Sequence, residues 1–299
     1  MWESYRKELL IMFKRIIALL LIITALLSVV ACSSPADSKK DDEITSQEMK
    51  VKFFKMGRAS CTIIRTEDKV VMIDTGDEEK YPKIIEYLEG KEIKHIDTLI
   101  ITSLSKRNIG GLSAVLGVAT VGEIYLPDYT KSSGTYLTFK NAIENAGLTP
   151  KAVSETTNLE YGETKLTVHP AKADYTGAVD NEDEVKSLVI EVVHGNTEML
   201  LTSKINGDRL TEVGEMFKDR EFDLVWVPNY GEYDAKLEDL FGKIKTEYAV
   251  VVTSNTNPLP ENTKAVLVAC GIEEEKIFNT VNGAVEVKCN GAGIVEIKY

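Results

Sequence analysis

The segment LIITSLSKRNIGG, residues 99–111, constrains the fold of this chain more than any other stretch. Residues 99–102 are apolar or β-branched and predict a buried strand. The Ile-Gly-Gly of residues 109–111 stands at the start of a predicted helix. Between strand and helix lies a polar block with four notable positions, Ser103, Ser105, Arg107 and Asn108. In open α/β proteins pockets form beyond the strand ends, so these side chains are candidates for a site.

This frame resembles the metallo-β-lactamase fold superfamily. In that family a buried strand ends in Thr-His, a ligand block of the form His-x-His/Asp-x-Asp-His follows, and a helix then opens with Ile/Val-Gly-Gly. Here the strand and the helix start are kept, while the four ligand positions hold two serines, an arginine and an asparagine. The resemblance therefore implies the scaffold of a metal site without its ligands.

Further landmarks of the same family follow in order. Residues 70–76 (VVMIDTG) form an apolar run that closes on Asp74-Thr-Gly, like the second strand of the family. Residues 200–204 (LLTSK) stand where the family has Leu-Leu-Thr-Gly-Asp. The resemblance implies that Lys204 replaces an Asp that bridges two metals.

The C-terminal half is most similar to one branch of the family, the metallo-β-lactamase-like domain of bacterial competence DNA-uptake proteins. Residues 227–231 (VPNYG) stand where that branch has Val-Pro-His-His-Gly, so Asn229 and Tyr230 replace two histidines. Asn257, followed by a proline, stands where a last His-Pro is expected. The resemblance extends from about residue 50 to the C-terminus and fails at every ligand position.

We expect neither a metal ion nor another cofactor at this site. Zinc, manganese and iron require imidazole, carboxylate or thiolate donors. Hydroxyls and amides are weak donors, Arg has no lone pair to give, and Lys would first have to lose a proton. His95, His169 and His194 lack ligand spacing and are predicted to be surface or loop residues.

The N-terminus predicts export and lipid attachment. Lys14 and Arg15 precede an apolar stretch, residues 16–30, that is short for a membrane-spanning helix and ends in Val-Val-Ala-Cys. This ending resembles a bacterial lipobox, which implies cleavage before Cys32 and lipidation of its thiol. The alternative is an uncleaved membrane anchor. We expect residues 1–31 to be a lipoprotein signal peptide, residues 32–49 a polar tether, and residues 50–299 one domain at the outer face of a bacterial cell membrane.

Charge and cysteine content limit the partners. The chain has a net charge of −12. Because non-specific nucleic-acid affinity comes from neutralising phosphates, nucleic acid is not an expected partner. Beside Cys32 there are Cys61, Cys270 and Cys289, without CxxC spacing, so the sequence supports at most one disulfide, for which Cys270–Cys289 is a guess.

Strand and helix patterns alternate along the rest of the chain, and together with the resemblance they predict an α/β fold, a four-layer αββα sandwich. Strands are predicted over residues 51–56, 61–66, 70–74, 98–102, 123–126, 187–194, 198–202, 224–227, 248–253, 276–279, 284–288 and 294–298. Helices are predicted over residues 81–89, 112–118, 136–146, 209–217, 237–244 and 262–270. Gly195-Asn196 and Asn282-Gly283 are both typical of hairpin turns.

Several functions remain open for the altered site, whose predicted residues are Asp74, Ser103, Ser105, Arg107, Asn108, Lys204, Asn229, Tyr230 and Asn257. These side chains could only satisfy one another, with Arg107 and Lys204 paired to Asp74 or to backbone carbonyls. They could instead bind a small anion, or the domain could bind a protein partner. A Ser–Lys hydrolase built from Ser103 or Ser105 with Lys204 and a family-type metallohydrolase are the enzymatic alternatives. We expect a non-catalytic binding or interaction module.

Overall fold

The computed structural model describes residues 44–172 and 182–299, and Trp2 in addition. The predicted signal peptide, Cys32 and residues 32–43 of the predicted tether lie outside the described residues. Residues 44–299 form one compact unit. Ile44 is buried and Met49 is fully buried in the first strand, so the domain begins before residue 50, where we had placed its boundary. In the part of the chain that is described, no helix is long and apolar enough to cross a membrane.

Within residues 44–172 and 182–299, fifteen strands form two sheets. The first sheet contains β1 (Met49–Phe53), β2 (Thr62–Arg65), β3 (Val70–Ile73), β4 (His95–Ile100), β5 (Thr120–Pro127), β6 (Lys151–Val153), β14 (Val285–Cys289) and β15 (Ile294–Lys298). The second sheet contains β7 (Thr157–Tyr161), β8 (Thr164–His169), β9 (Val189–His194), β10 (Thr197–Leu201), β11 (Glu221–Trp226), β12 (Lys245–Val251) and β13 (Ile277–Asn279).

The two sheets repeat one topology. The strand order is β15-β14-β1-β2-β3-β4-β5-β6 in the first sheet and β13-β12-β11-β10-β9-β8-β7 in the second. In the first, antiparallel pairing up to β3 gives way to parallel pairing from β3 to β6. In the second, antiparallel pairing from β7 to β10 gives way to parallel pairing from β10 to β13. Because β3, β4, β10 and β11 are each followed in the sheet by a parallel strand, none of them has a hairpin at its carboxyl end.

Helices cover the outer face of each sheet. Beside the first sheet lie α1 (Pro82–Gly90), α2 (Lys106–Ile109), α3 (Leu112–Val118) and α4 (Gly134–Asn145). A short helix, α5 (Glu182–Val185), precedes β9. Beside the second sheet lie α6 (Asp208–Met216), α7 (Leu237–Phe241) and α8 (Glu261–Ala269). Tight turns at Asn229–Gly231 and Glu274–Lys276 complete the regular elements.

The apolar runs are continuous because both faces of the central strands are buried. In β4, Ile100 belongs to the core between the sheets, and its neighbours Leu99 and Ile101 belong to the core under the helices. In β11, Trp226 packs between the sheets, whereas Val225 packs under α6 and α7. Two sheets with helices on both outer sides confirm the predicted four-layer αββα sandwich.

Several local predictions were wrong. Asn282-Gly283 connects β13 of the second sheet to β14 of the first, so it is a crossover between sheets and not a hairpin turn. Strands β6, β7 and β8 were missed because exposed or polar residues make up much of each, so none contains a long apolar run. His194 ends β9 and is buried, where Thr164 and the Gln47 carbonyl satisfy its ring nitrogens. The thiols of Cys61, Cys270 and Cys289 are free, which excludes the guessed disulfide.

Steric contacts explain why two glycines, Gly110 and Gly111, stand at the start of α3. A Cβ at Gly111 would lie 2.1 Å from the carbonyl oxygen of Thr75, and one at Gly110 would lie 2.7 Å from the backbone nitrogen of Glu78. Both contacts are closer than van der Waals distance and are made to backbone, which cannot swing away. The two glycines therefore let this helix start approach the loop that follows β3.

Gly111→Ala should destabilise the domain by more than about 3 kcal/mol, because either the helix or the Thr75 loop must shift in a packed region. Gly117→Ala is the matched control, since Gly117 is exposed within α3 and an added Cβ would meet no neighbouring atom within 4 Å. That change should stabilise by about 0.5–1 kcal/mol through helix propensity. Urea unfolding of both variants measures the difference, and equal stability of the two would contradict the packing argument.

Candidate functional site

Four strand ends meet at one place in the fold. Asp74 follows β3, Thr102 follows β4, Ser203 follows β10, and Tyr230 lies beyond the end of β11. All four residues are buried. Hydrogen bonds link them and Asn108, which lies on α2. The parallel topology thus brings residues from distant parts of the chain to a single site at the carboxyl edge of both sheets.

Asp74 is the centre of this cluster. Its Oδ1 accepts hydrogen bonds from the backbone N–H of Thr102 at 2.8 Å and from Thr102 Oγ1 at 3.0 Å. Its Oδ2 accepts from Ser60 Oγ at 2.7 Å, from Thr102 Oγ1 at 2.8 Å and from Asn108 Nδ2 at 2.7 Å. Every one of these donors is neutral. Both oxygens of the carboxylate are therefore occupied by groups that carry no compensating charge.

Burial has the largest influence on the pKa of Asp74. Loss of solvent raises the pKa of this carboxyl to about 6 from its ordinary 3.8, against the opposing effect of the bonds from Thr102, Ser60 and Asn108. Four donors stabilise the ionised form, but none supplies a positive charge in contact with it. The predicted ion pair of Asp74 with Arg107 or Lys204 was wrong, because no hydrogen bond or salt bridge of the described residues joins Asp74 to a cation.

Asn108 extends the cluster toward the next strand. While its Nδ2 donates to Asp74, its Oδ1 accepts from Ser105 Oγ at 2.5 Å and from Tyr230 Oη at 3.5 Å. On the other side, Ser203 Oγ and Thr102 Oγ1 are 2.5 Å apart. Because Thr102 gives its proton to Asp74, Ser203 is the donor in that pair. The hydrogen bonds of these neutral groups lead to the Asp74 carboxylate, either directly or through Asn108 and Thr102.

The two predicted cations have partners other than Asp74. Lys204 Nζ lies 3.4 Å from Glu184 Oε1, on α5, and its side chain is largely buried. The guanidinium of Arg107 stacks 5.6 Å from the ring centre of Tyr230, on which Arg58 also stacks at 5.0 Å. Arg58 in turn pairs with Glu232. Burial and the nearby Asp74 raise the pKa of Tyr230 above its ordinary value, so the ring is a neutral phenol between two guanidinium groups.

Helix α5 occupies the outer side of the site. Ser103 Oγ donates to the carbonyl oxygen of Asp183 at 2.9 Å. The Asp183 carboxylate accepts from Tyr129 Oη at 2.8 Å and from Lys131 Nζ at 2.5 Å. Sequence reasoning missed Asp183 and Lys131, along with Thr102, Ser60 and Ser203. The acidic run at residues 182–184 gave no local signal, since its contacts at the site lie between 20 and 80 residues away along the chain.

The remaining predicted residues divide into two groups. Asn229 donates its backbone N–H to the carbonyl oxygen of Ser203 at 2.8 Å, and its side chain contacts Glu232, so it borders the cluster. Asn257 is exposed in a short turn with Ser254, and no hydrogen bond of the described residues joins it to the Asp74 cluster. The convergence of Asn257 on this site stays a prediction.

Backbone strain concentrates at the same place. Asp74, Ser203, Asn229 and Tyr230 have φ values of 60°, 50°, 45° and 59°, in the region that side chains with a Cβ rarely adopt. Each such residue costs about 1 kcal/mol or more, and this cost is commonly found at functional sites. Ser203 stands where the resembled family has glycine. It keeps the strained backbone and adds the hydroxyl that reaches Thr102.

The residues present do not fit a catalytic metal centre. In the described ranges, no three side chains of His, Cys, Asp or Glu come together in a way that could hold a metal ion. The single carboxylate of the cluster already accepts from four donors, and the other positions offer hydroxyl, amide, ammonium and guanidinium groups. These groups are weak or incapable donors to zinc, manganese or iron.

A Ser–Lys arrangement also lacks its geometry. Ser103 Oγ donates to Asp183 and Ser105 Oγ donates to Asn108, whereas Lys204 Nζ pairs with Glu184. Neither serine is hydrogen-bonded to Lys204 among the contacts of the described residues. A nucleophilic serine needs its base within hydrogen-bond reach, so these residues do not form such a pair.

Comparison with known proteins agrees with the architecture. The sequence pattern of the Metallo-beta-lactamase superfamily matches residues 55–102, which contain β2, β3, β4 and Asp74. The chain has the metallo-β-lactamase fold. No curated protein matches the chain.

Solved structures with the metallo-β-lactamase fold are similar at low identity. A putative metal-dependent hydrolase from Parabacteroides distasonis ATCC 8503 is 10% identical, with a TM-score of 0.51 over 77% of this chain and 92% of that one. A diphosphatase from the PhnP family is 14% identical over 78% and 94% of the two chains, with a TM-score of 0.47. The metallo-beta-lactamase fold protein YhfI from Bacillus subtilis is 15% identical over 63% and 75%, with a TM-score of 0.42. The likeness to the Parabacteroides distasonis structure, at 10% identity, shows the fold alone.

The buried Asp74 predicts a characteristic pH dependence of stability. Its pKa is raised on folding, so the folded state holds the proton more tightly, and this contribution is complete below about pH 4 and lost as the pH rises through about 6. The free energy of unfolding of the wild type minus that of Asp74→Asn should fall by roughly 3 kcal/mol between about pH 4 and pH 7. Urea unfolding across this pH range measures the difference.

Asp97→Asn is the control of opposite sign. Burial alone raises the pKa of Asp97, but hydrogen bonds from the Val70 N–H and from Lys69 outweigh it and hold the pKa below its ordinary value. The free energy of unfolding of the wild type minus that of Asp97→Asn should therefore rise with pH. A flat or rising difference for Asp74→Asn would show that its carboxyl is not desolvated as described.

Proposed function

We propose that this chain is a non-catalytic binding module that uses a metallo-β-lactamase fold without metal. The observation that carries this proposal is the chemistry of the side chains at the positions where the resemblance implies metal ligands, which are hydroxyls, amides, a phenol and the two cations Arg107 and Lys204. The carboxylate among the predicted site residues, Asp74, already accepts hydrogen bonds from four neutral donors. The cations at positions 107 and 204 further disfavour a dication.

A metal-dependent hydrolase is the second candidate. One solved structure with this fold is described as a putative metal-dependent hydrolase, and the fold is shared over most of both chains. This alternative includes a phosphoester hydrolase and an activity related to competence and DNA uptake, as the branch resemblance implies. A fold does not establish an activity, and the side chains at the ligand positions favour the binding module.

We further propose that the domain is held at the outer face of a bacterial membrane by a lipid on Cys32. The support is the sequence alone: two basic residues, an apolar stretch and Val-Val-Ala-Cys. A single acyl chain gives only marginal membrane binding, so stable attachment requires a second chain. A lipid-anchored binding module has its ligand or protein partner outside the cytoplasm.

Metal analysis separates the two candidates. The purified domain should contain less than about 0.1 mole of zinc, manganese or iron per mole of chain, and a chelator should leave its melting temperature unchanged, because no metal-binding energy is coupled to folding. Elemental analysis and thermal melting with and without chelator measure both quantities. A stoichiometry near one or two with loss of stability in chelator would establish the hydrolase alternative instead.

Lipid attachment has its own test. Cys32→Ala should abolish incorporation of a labelled fatty acid and release the protein from the membrane fraction or leave it unprocessed. Cys270→Ala is the control, because Cys270 is a free, partly buried thiol of the folded domain. Labelling that persists in Cys32→Ala, or membrane association without label in the wild type, excludes the lipoprotein assignment.

A further inference from the structure

A basic pocket lies directly beside the Asp74 cluster. It has a volume of about 390 Å³, within the usual size of small-molecule sites, and is lined by four basic residues, one carboxylate and three hydroxyl-bearing residues. The basic residues are Lys106, Arg107, Lys131 and Lys204, and the carboxylate is Asp183. Among these basic residues, the sequence predicted only Arg107 and Lys204 as site residues. Lys131 was missed because it lies in the loop before α4.

Two of these cations are neutralised within the protein and two are not. Lys131 pairs with Asp183, and Lys204 pairs with Glu184. Lys106 is exposed and Arg107 half-buried, and no salt bridge among residues 44–172 and 182–299 gives either of them a carboxylate partner. Arg107 is held in place instead by the face of Tyr230. The pocket therefore presents an ammonium and an oriented guanidinium that have no carboxylate partner among the residues that the structure describes.

This concentration of positive charge contrasts with the rest of the chain. The net charge of the protein is −12, yet the pocket lining has four bases against one acid. The cations of the pocket repel one another because they lie close together. A chain with this many carboxylates has enough of them to neutralise every cation of the pocket. Two uncompensated cations at the mouth of a pocket are instead the arrangement that attracts and holds a doubly charged anion.

We propose that this pocket binds a small molecule through a phosphate monoester group. A phosphate monoester carries about −1.5 to −2 charges near neutral pH, which matches the two unpaired cations, whereas a carboxylate or a phosphate diester carries one charge. The planar fork of Arg107 suits two phosphate oxygens, and Lys106 acts as a point charge. This inference rests on the proposed function, since fixed cations here take the place of metal in binding the anion.

Calorimetry on the metal-free domain tests the proposal at fixed ionic strength and about pH 7.5. Glycerol phosphate should bind, and dimethyl phosphate and acetate should bind at least about tenfold more weakly, because each has a single charge. Affinity for glycerol phosphate should fall as the pH is lowered through about 6, where the monoester takes up a proton. Equal binding of monoester and diester would overturn the assignment of a dianion.

The double variant Lys106→Gln with Arg107→Gln should weaken glycerol phosphate binding by at least about tenfold, because each change removes a charged hydrogen-bond donor. The matched control, Lys245→Gln with Lys264→Gln, removes the same charge from surface ion pairs outside the pocket. It should keep the wild-type affinity. An equal loss in both double variants would mean that net charge alone is responsible and would overturn the proposal.

The proposed function and this inference fail in different ways. If metal-free protein gives no heat with glycerol phosphate, the ligand assignment is wrong while the metal-free module stands. If binding is present as purified and disappears after chelator treatment, a metal holds the anion and both proposals are wrong. Binding that survives chelator and depends on Lys106 and Arg107 supports both.

Discussion

The Asp74 carboxylate lies at the meeting point of four strand ends and has no access to solvent. A buried charge of this kind must be balanced by metal, by cations or by hydrogen bonds. In this chain hydrogen bonds balance the charge, and Ser60, Thr102 and Asn108 supply all the donors. Because these donors come from separate loops, the carboxylate ties the loops after β1, β3 and β4 to one another. The organisation of the site depends on that interaction.

The cations of the site follow from the same constraint. Donors already saturate Asp74, so Lys204 takes its counter-charge from Glu184 on α5, and Arg107 stacks on Tyr230. Helix α5 thereby closes the side of the cluster through Ser103 and Lys204. The site has an inner part that is neutral and internally bonded, and an outer part where positive charge remains available.

The sequence predicted the layers of the fold well because both sheets are buried on two faces, which gives long apolar strands such as β4 and β11. Strand β7, at the edge of its sheet, and the neighbouring β8 were missed because polar residues alternate with few apolar ones and no continuous apolar run marks them. At the site, family landmarks located Asp74, Asn108 and Tyr230. They could not give the partners, since Asp183 and Glu184 are brought to Ser103 and Lys204 only by the folded chain. Asn257 matched a landmark in sequence, yet its turn stays exposed.

Backbone hydrogen bonds help to hold the loop that carries ligands in the resembled family. The N–H of Thr75 donates to the carbonyl of Asn108 at 2.7 Å, and the N–H of Ser60 donates to the carbonyl of Arg107 at 2.9 Å. These bonds are independent of the side chains, so the side chains could change without loss of the loop. Within one helical turn, Asn108 then points inward to Asp74 while Lys106 stays exposed at the pocket. A fixed backbone with exchangeable side chains is compatible with one fold serving either as a metal scaffold or as the anion pocket proposed above.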